Sequence, residues 1–234
     1  SLRGVAHPLP RLFRIFCLGA TPLLLAGCTG ELSALDPAGP RASNLAMLWW
    51  AMLAGSVALF VLVMGLLAIA YLRAEWISRV TPRQWIIGGG FIMPIPILIG
   101  LLITALILGE QLLPKQDGSA TMRIEARASQ WQWRFSYPDA PQSGESAVLH
   151  MPVGEPVDIA VRADDVIHSF WVPRLGGKID AIPGRENVIR LQADKPGIYR
   201  GICAEYCGEG HDNMGFVVEA HEAADFAAAL GGTP

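Results

Sequence analysis

The run Cys203-Ala-Glu-Tyr-Cys207-Gly-Glu-Gly-His211-Asp-Asn-Met214 puts two thiols, an imidazole and a thioether within twelve residues. Soft thiolate and thioether ligands select copper, zinc or iron–sulfur, and a Cys/His set joined by Met points to copper used for electron transfer. Blue-copper sites use a single Cys. Here two Cys stand four residues apart, so both thiolates can bridge a pair of copper ions. The competing readings are a disulfide, or buried thiols with His and Met nearby by chance. The ordered Cys, Cys, His, Met spacing favours a metal. His168, in Val166-Ile-His168-Ser-Phe-Trp-Val-Pro173, supplies a further imidazole from a separate stretch.

The Cys203–Met214 run resembles the dinuclear copper (CuA) loop of the cytochrome c oxidase subunit II family. The His168 stretch, followed by Gly177-Lys-Ile-Asp180-Ala-Ile-Pro183-Gly-Arg185, looks like that family's first-ligand loop. The resemblance spans residues 45–218. It implies a cupredoxin-like sandwich in which Cys203 and Cys207 bridge both coppers. His168 and Met214 would complete one copper; His211 and the backbone carbonyl of Glu205 would complete the other. It also implies that the Glu205 carboxylate holds Mg²⁺ at the interface with the catalytic subunit I. That ion takes few protein carboxylates, so one from this chain is plausible. In the family an exposed Trp receives the electron from cytochrome c, and by position that residue is Trp131. The haems, oxygen reduction and proton pumping would reside in partner subunits. Two thiolates shared between two metals delocalise one electron, a fixed rim limits rearrangement on redox change, and weak axial ligands tune the potential.

Three function classes compete. One is the electron-accepting subunit of a cytochrome c oxidase. Another is a quinol-oxidase subunit II, a membrane subunit without copper, which the intact Cys203, Cys207, His211 and Met214 disfavour. The last is a CuA domain serving a nitrogen-oxide reductase, which two apolar spans and the Asp180–Arg185 segment disfavour. The chain lacks Cys-x-x-Cys-His, so it carries no fused c-type haem motif. It departs from many relatives in having no acid in Gln84-Trp85-Ile-Ile-Gly-Gly-Gly90, where they carry a Glu linked to proton uptake.

The elements that must position these residues follow from composition. Apolar residues make up 52% of the 234, too many for an ordinary soluble domain, and the excess lies before about residue 110. Residues 1–28 read as a secretory signal: Arg3, Arg11 and Arg14 precede a short apolar stretch ending in the lipobox-like Leu25-Ala-Gly-Cys28. Cys28 would then be the lipid-modified mature N-terminus. Residues 29–44 read as an exposed linker, rich in Ser, Pro and Gly. Residues 45–109 read as a transmembrane hairpin of two uncharged runs, Leu45–Leu72 and Trp85–Gly109, each longer than the ~20 residues a span needs. Pro94 and Pro96 should break the second run's hydrogen bonding. Arg73, Arg79 and Arg83 put the connection in the cytoplasm, so the N-terminus and the C-terminal domain face outward across a bacterial inner membrane.

A linker covers 110–120, and the pattern then changes to short alternating strands, read as an all-β Greek-key sandwich over 121–220. The alternating aromatics of Gln130-Trp131-Gln-Trp133-Arg-Phe135-Ser-Tyr137 suit a strand with one face in the core. The tail, 221–234, is Ala rich, with His221 expected in solvent. The net charge of −3 shows no nucleic-acid footprint, but it hides an asymmetry. From Thr121 onward there are 16 acidic and 10 basic residues, against 5 and 8 before it. An acidic domain suits a basic partner such as cytochrome c.

Overall fold

The computed structural model describes residues 28–110 and 121–231. The proposed signal segment before Cys28 and most of the 110–120 linker lie outside them. The chain opens with a long helix, α1 (Pro40–Leu72). A short connection holds α2 (Ala74–Ile77), and α3 (Pro82–Ile87) begins the second apolar rod. Thr81 caps α3: its hydroxyl accepts from the Gln84 amide at 3.3 Å while Gln84 Oε1 accepts from the Thr81 amide at 2.9 Å. Pro82 sits in the first turn, where its missing N–H costs nothing.

The rod then widens into a π-helical turn, Gly88–Ile92, before continuing as α4 (Pro94–Glu110). Pro94 supplies no N–H and clashes with a preceding α turn. The turn before it takes one extra residue instead, closed by Met93 N–H donating to Gly88 O at 3.0 Å. Three glycines without side chains accommodate that widening. The two proline positions thus open α4 rather than interrupt it. Both rods, Pro40–Leu72 and Pro82–Glu110, are long and apolar enough to cross a membrane, and almost all their large side chains are exposed.

The rest is a β-sandwich. One sheet has the order β2 (Gln132–Ser136), β1 (Met122–Ser129), β4 (Val157–Ala163), β7 (Asn187–Leu191). The other runs β3 (Val148–Pro152), β9 (Gly215–His221), β8 (Gly197–Cys203), β5 (His168–Trp171), β6 (Lys178–Ala181). A short helix, α5 (Ala223–Ala229), follows β9. Inward residues alternate along β1 (Ile124, Ala126, Ala128) and β9 (Phe216, Val218, Ala220), as period-two side chains demand.

The core beneath the loops that carry the candidate donors is aromatic. Phe170 stacks on Phe216 with centroids 4.8 Å apart, and Trp133 meets both at 5.6 and 5.5 Å. Gly201 makes room for that stack, since a Cβ there would lie 2.1 Å from the Phe216 ring. On the outer face of the first sheet Arg190 and Asp158 form a bidentate pair at 2.7 and 2.8 Å, directly opposed in the β4–β7 register.

The stretch before α1 is tied down rather than free. Ala38 N–H donates to Arg174 O at 2.7 Å, and Asp194 N–H donates to Ala38 O at 2.8 Å. Arg174 donates to Asp36 O at 2.8 Å and pairs with its carboxylate at 3.2 Å. Gly39 lies so close to the sandwich that a Cβ would sit 2.2 Å from Gln192 O. Helix α1 starts at Pro40, five residues before the apolar run, and buries Ala42 and Ala46. An apolar hollow between them is lined by Ala42, Leu45, Trp171 and Pro173.

Candidate metal centre

Adjacent strands and one loop bring the expected donors to one end of the sandwich. His168 is the first residue of β5 and Cys203 the last of β8. β5 pairs with β8 through Phe170↔Cys203, so strand geometry sets the approach of His168 to Cys203. The chain then leaves β8 in a loop fastened by Ala204 N–H donating to Ser169 O at 2.9 Å and Cys203 N–H donating to Met214 O at 3.1 Å. Within it, a short 3-10 turn (His211–Asn213) turns His211 back toward the thiols.

All six predicted donors converge. The Cys203 and Cys207 sulfurs are 3.8 Å apart, far beyond the ~2.05 Å of a disulfide. Cys203 Sγ lies 3.9 Å from His168 Nδ1 and 3.3 Å from Glu205 O. Cys207 Sγ lies 3.6 Å from His211 Nδ1 and 3.7 Å from Met214 Sδ. A soft ion bonded at ~2.3 Å to sulfur and ~2.0 Å to nitrogen separates its tetrahedral ligands by about 3.5 Å. The donor set therefore fits metal with little rearrangement. His168, Cys203, Cys207 and Met214 are buried, so the polar atoms here sit out of water. Burial, with Cys203 beside it, pushes the Cys207 thiol up to about 11. Metal binding must displace that proton.

An outer partner that the residue pattern did not single out is Asp165. Its carboxylate lies 2.8 Å from His168 Nε2 and accepts the Gln130 and Val166 amides at 2.7 Å each. Desolvation raises the Asp165 carboxyl, but these hydrogen bonds outweigh it and hold it below the usual carboxylate range. The contact leaves His168 Nδ1 facing the thiols, since a carboxylate held on one ring nitrogen orients the imidazole for metal at the other. A carboxylate three residues before a ligand His was the available signal.

Trp131 and Trp133 take different places. Trp133 is 3% exposed, within the core stack. Trp131 is 41% exposed, and its indole N–H donates to Cys207 O at 3.1 Å. Gln130 donates to the same carbonyl at 2.8 Å. The Trp131 ring lies against Gly208 and Gly210, where added Cβ atoms would come within 3.2 and 2.5 Å of it. Val166 and Ile167, just before His168, and Tyr206, just before Cys207, are also exposed, which composition did not reveal. Glu205, Glu209 and Asp212 are exposed on the same loop. The Glu205 carboxylate is 4.0 Å from Lys178 Nζ, which also faces Asp180 at 3.7 Å.

His221 corrects a sequence expectation. It is not solvent-exposed but partly covered, 2.9 Å from His150 and beside the Phe226 ring, because the tail folds back as α5.

Residues 143–221 match the family described as cytochrome c oxidase subunit II, periplasmic domain. The chain is 36% identical over 226 residues to cytochrome c oxidase subunit 2 of Alkalihalophilus pseudofirmus, covering 89% of this chain and 65% of that one. It thus spans somewhat less than two thirds of that relative's length. It is also 31% identical over 226 residues to ubiquinol oxidase subunit 2 of Acetobacter aceti, covering 88% of this chain and 70% of the other. Among solved structures, the periplasmic domain of cytochrome oxidase subunit II of Bradyrhizobium japonicum superposes with a TM-score of 0.45 at 32% identity, covering 51% of this chain and 95% of that one.

Proposed function

The chain belongs to the cytochrome c oxidase subunit II family of haem–copper oxidases, whose matched members include quinol oxidase subunits, and from that premise we propose that it accepts electrons from cytochrome c for a cytochrome c oxidase. The observation that carries this reading is the convergence of two free thiols, two imidazoles, a thioether and a carbonyl at one end of the sandwich. The copper pair such donors hold supplies a one-electron carrier with small structural change on reduction. His168, Cys203, Cys207, His211, Met214 and the Glu205 carbonyl would hold it.

The chain's own residues do the rest. Asp165 orients His168. The aromatic core under Phe170 and Phe216 keeps the rim rigid and dry. The exposed Trp131, Val166, Ile167 and Tyr206 offer the donor apolar contacts, and Glu205, Glu209 and Asp212 give a basic donor an attractive field. The Glu205 carboxylate would offer one oxygen to Mg²⁺ at an interface with subunit I. The domain faces the periplasm, with Arg73, Arg79 and Arg83 cytoplasmic, and haems and oxygen reduction belong to partner subunits.

The test is the assembled oxidase supplied in turn with reduced cytochrome c and with a quinol. Rapid oxygen uptake with cytochrome c, preceded by reduction of copper in this chain, is the expected outcome. Turnover with quinol alone would assign the chain to the other branch of the family.

A lipid anchor adds to the two helices. Cys28 carries a free thiol of intermediate exposure ahead of the docked Asp36–Gly39 stretch. The intact mass of the purified subunit should equal a chain starting at diacylated Cys28. Finding residues 1–27 still attached in the assembled complex would refute this.

A further inference from the structure

β3 and β9 build a second cluster of ligating side chains away from the copper loops. Their parallel register sets His150 opposite Glu219 and Pro152 opposite His221. The two-residue period puts Glu219 and His221 on one face. Leu149, Met151, Val218 and Ala220 are buried toward the core, so His150, Glu219 and His221 lie together on the outer face. His150 Nδ1 is 2.9 Å from His221 Nε2 and 3.5 Å from Glu219 Oε2, and His221 Nε2 is 3.7 Å from that same oxygen. Two imidazole nitrogens and one carboxylate oxygen converge on one point, with side chains 18%, 20% and 36% exposed.

We propose that His150, Glu219 and His221 form a second metal site, holding one divalent first-row transition ion of the Zn²⁺ type. Two imidazoles with a carboxylate suit zinc or copper(II) rather than Mg²⁺ or Ca²⁺, which prefer all-oxygen sets. The spacings sit near the roughly 3.3 Å that ligands bonded at ~2.0 Å to one tetrahedral ion require, so only the His–His contact must open slightly. Three protein ligands on a partly open face leave a fourth position for water.

The site is separate from the copper loops. Glu219 is five residues along β9 from Met214, about 17 Å at ~3.3 Å per residue. β3 is an edge strand of its sheet. An ion here cross-links that edge to β9 where the chain turns into α5.

The copper-loaded full-length chain, in detergent or in its assembled oxidase, is dialysed against zinc chloride, and both metals are counted by mass spectrometry. One zinc beyond the copper complement is expected. His150→Gln and His221→Gln should each weaken zinc binding by roughly tenfold or more, since loss of even an outer-shell partner costs about that, while copper content stays unchanged and reports an intact fold. X-ray absorption at the zinc edge of the wild-type chain gives a check free of any variant: a nitrogen/oxygen shell with imidazole scattering is expected. No extra zinc, zinc retained in both variants, or sulfur in the zinc shell overturns the site.

Discussion

Cys207→Ser is expected to abolish the dinuclear copper signal of the assembled chain. Cys207 is the hub of the donor set, with Cys203, His211 and Met214 all within 3.8 Å of its sulfur. A Ser hydroxyl fills nearly the same volume in this buried position, so the fold survives. It is a hard, weakly acidic donor that cannot share an electron between two soft ions. The wild-type electron paramagnetic resonance spectrum should show one electron spread over two copper nuclei. The variant should lose it, with copper per chain falling by half or more, whereas Met214→Leu, which removes only a weak ligand, should keep copper and shift its potential. A wild-type spectrum with the hyperfine pattern of a single copper nucleus would end the dinuclear reading.

Trp131→Gln should slow reduction by cytochrome c by on the order of tenfold or more while copper content and assembly stay unchanged. The ring is 41% exposed and hydrogen-bonded to the carbonyl of Cys207, so on the proposed function a π-system and one hydrogen bond would join a docked donor to the candidate centre. Gly210→Ala offers the same perturbation without touching Trp131, because its Cβ would press 2.5 Å from the indole and lift the ring. Trp133 provides the contrast. Its removal opens the core, and large-to-small changes of buried aromatics cost about 3–5 kcal/mol. Trp133 variants should therefore fail in stability before they fail in rate. Raising ionic strength should weaken docking of wild type and Trp131→Gln alike, since the acids of the loop are separate from the ring. Stopped-flow reduction with Trp131→Gln as fast as wild type would show that electrons enter elsewhere.

The convergence of the candidate donors was legible because their spacing is local: four fall within twelve residues, and a loop fastened at both ends needs no long-range information. Strands β1, β3, β4, β7 and β9 were legible from alternation. β5, β6 and β8 were not. His168-Ser-Phe-Trp171 and Lys178–Ala181 are too short to show a period. β8 carries glycines at Gly197 and Gly201, one for a positive φ and one to admit Phe216. The Asp165–His168 contact and the His150–Glu219–His221 group depend on which segments meet across strands and loops, and composition does not carry that. The linker reading of 29–44 missed the hydrogen bonds of Ala38 because their partners, Arg174 and Asp194, lie more than a hundred residues away.

That docking of the chain before α1 has a mechanical consequence. Thirty-three helical residues reach about 50 Å, some 20 Å beyond a bilayer's apolar layer. In a helix that spans a bilayer with this end outward, the surplus turns would rise clear of the lipid, and the sandwich is held to them through Asp36, Ala38 and the close approach at Gly39. The helix is therefore a post joined to the sandwich by several contacts and not by a loose tether alone. On the proposed function, a copper centre held at the sandwich rim would stay put, and a mobile carrier would have to come to it.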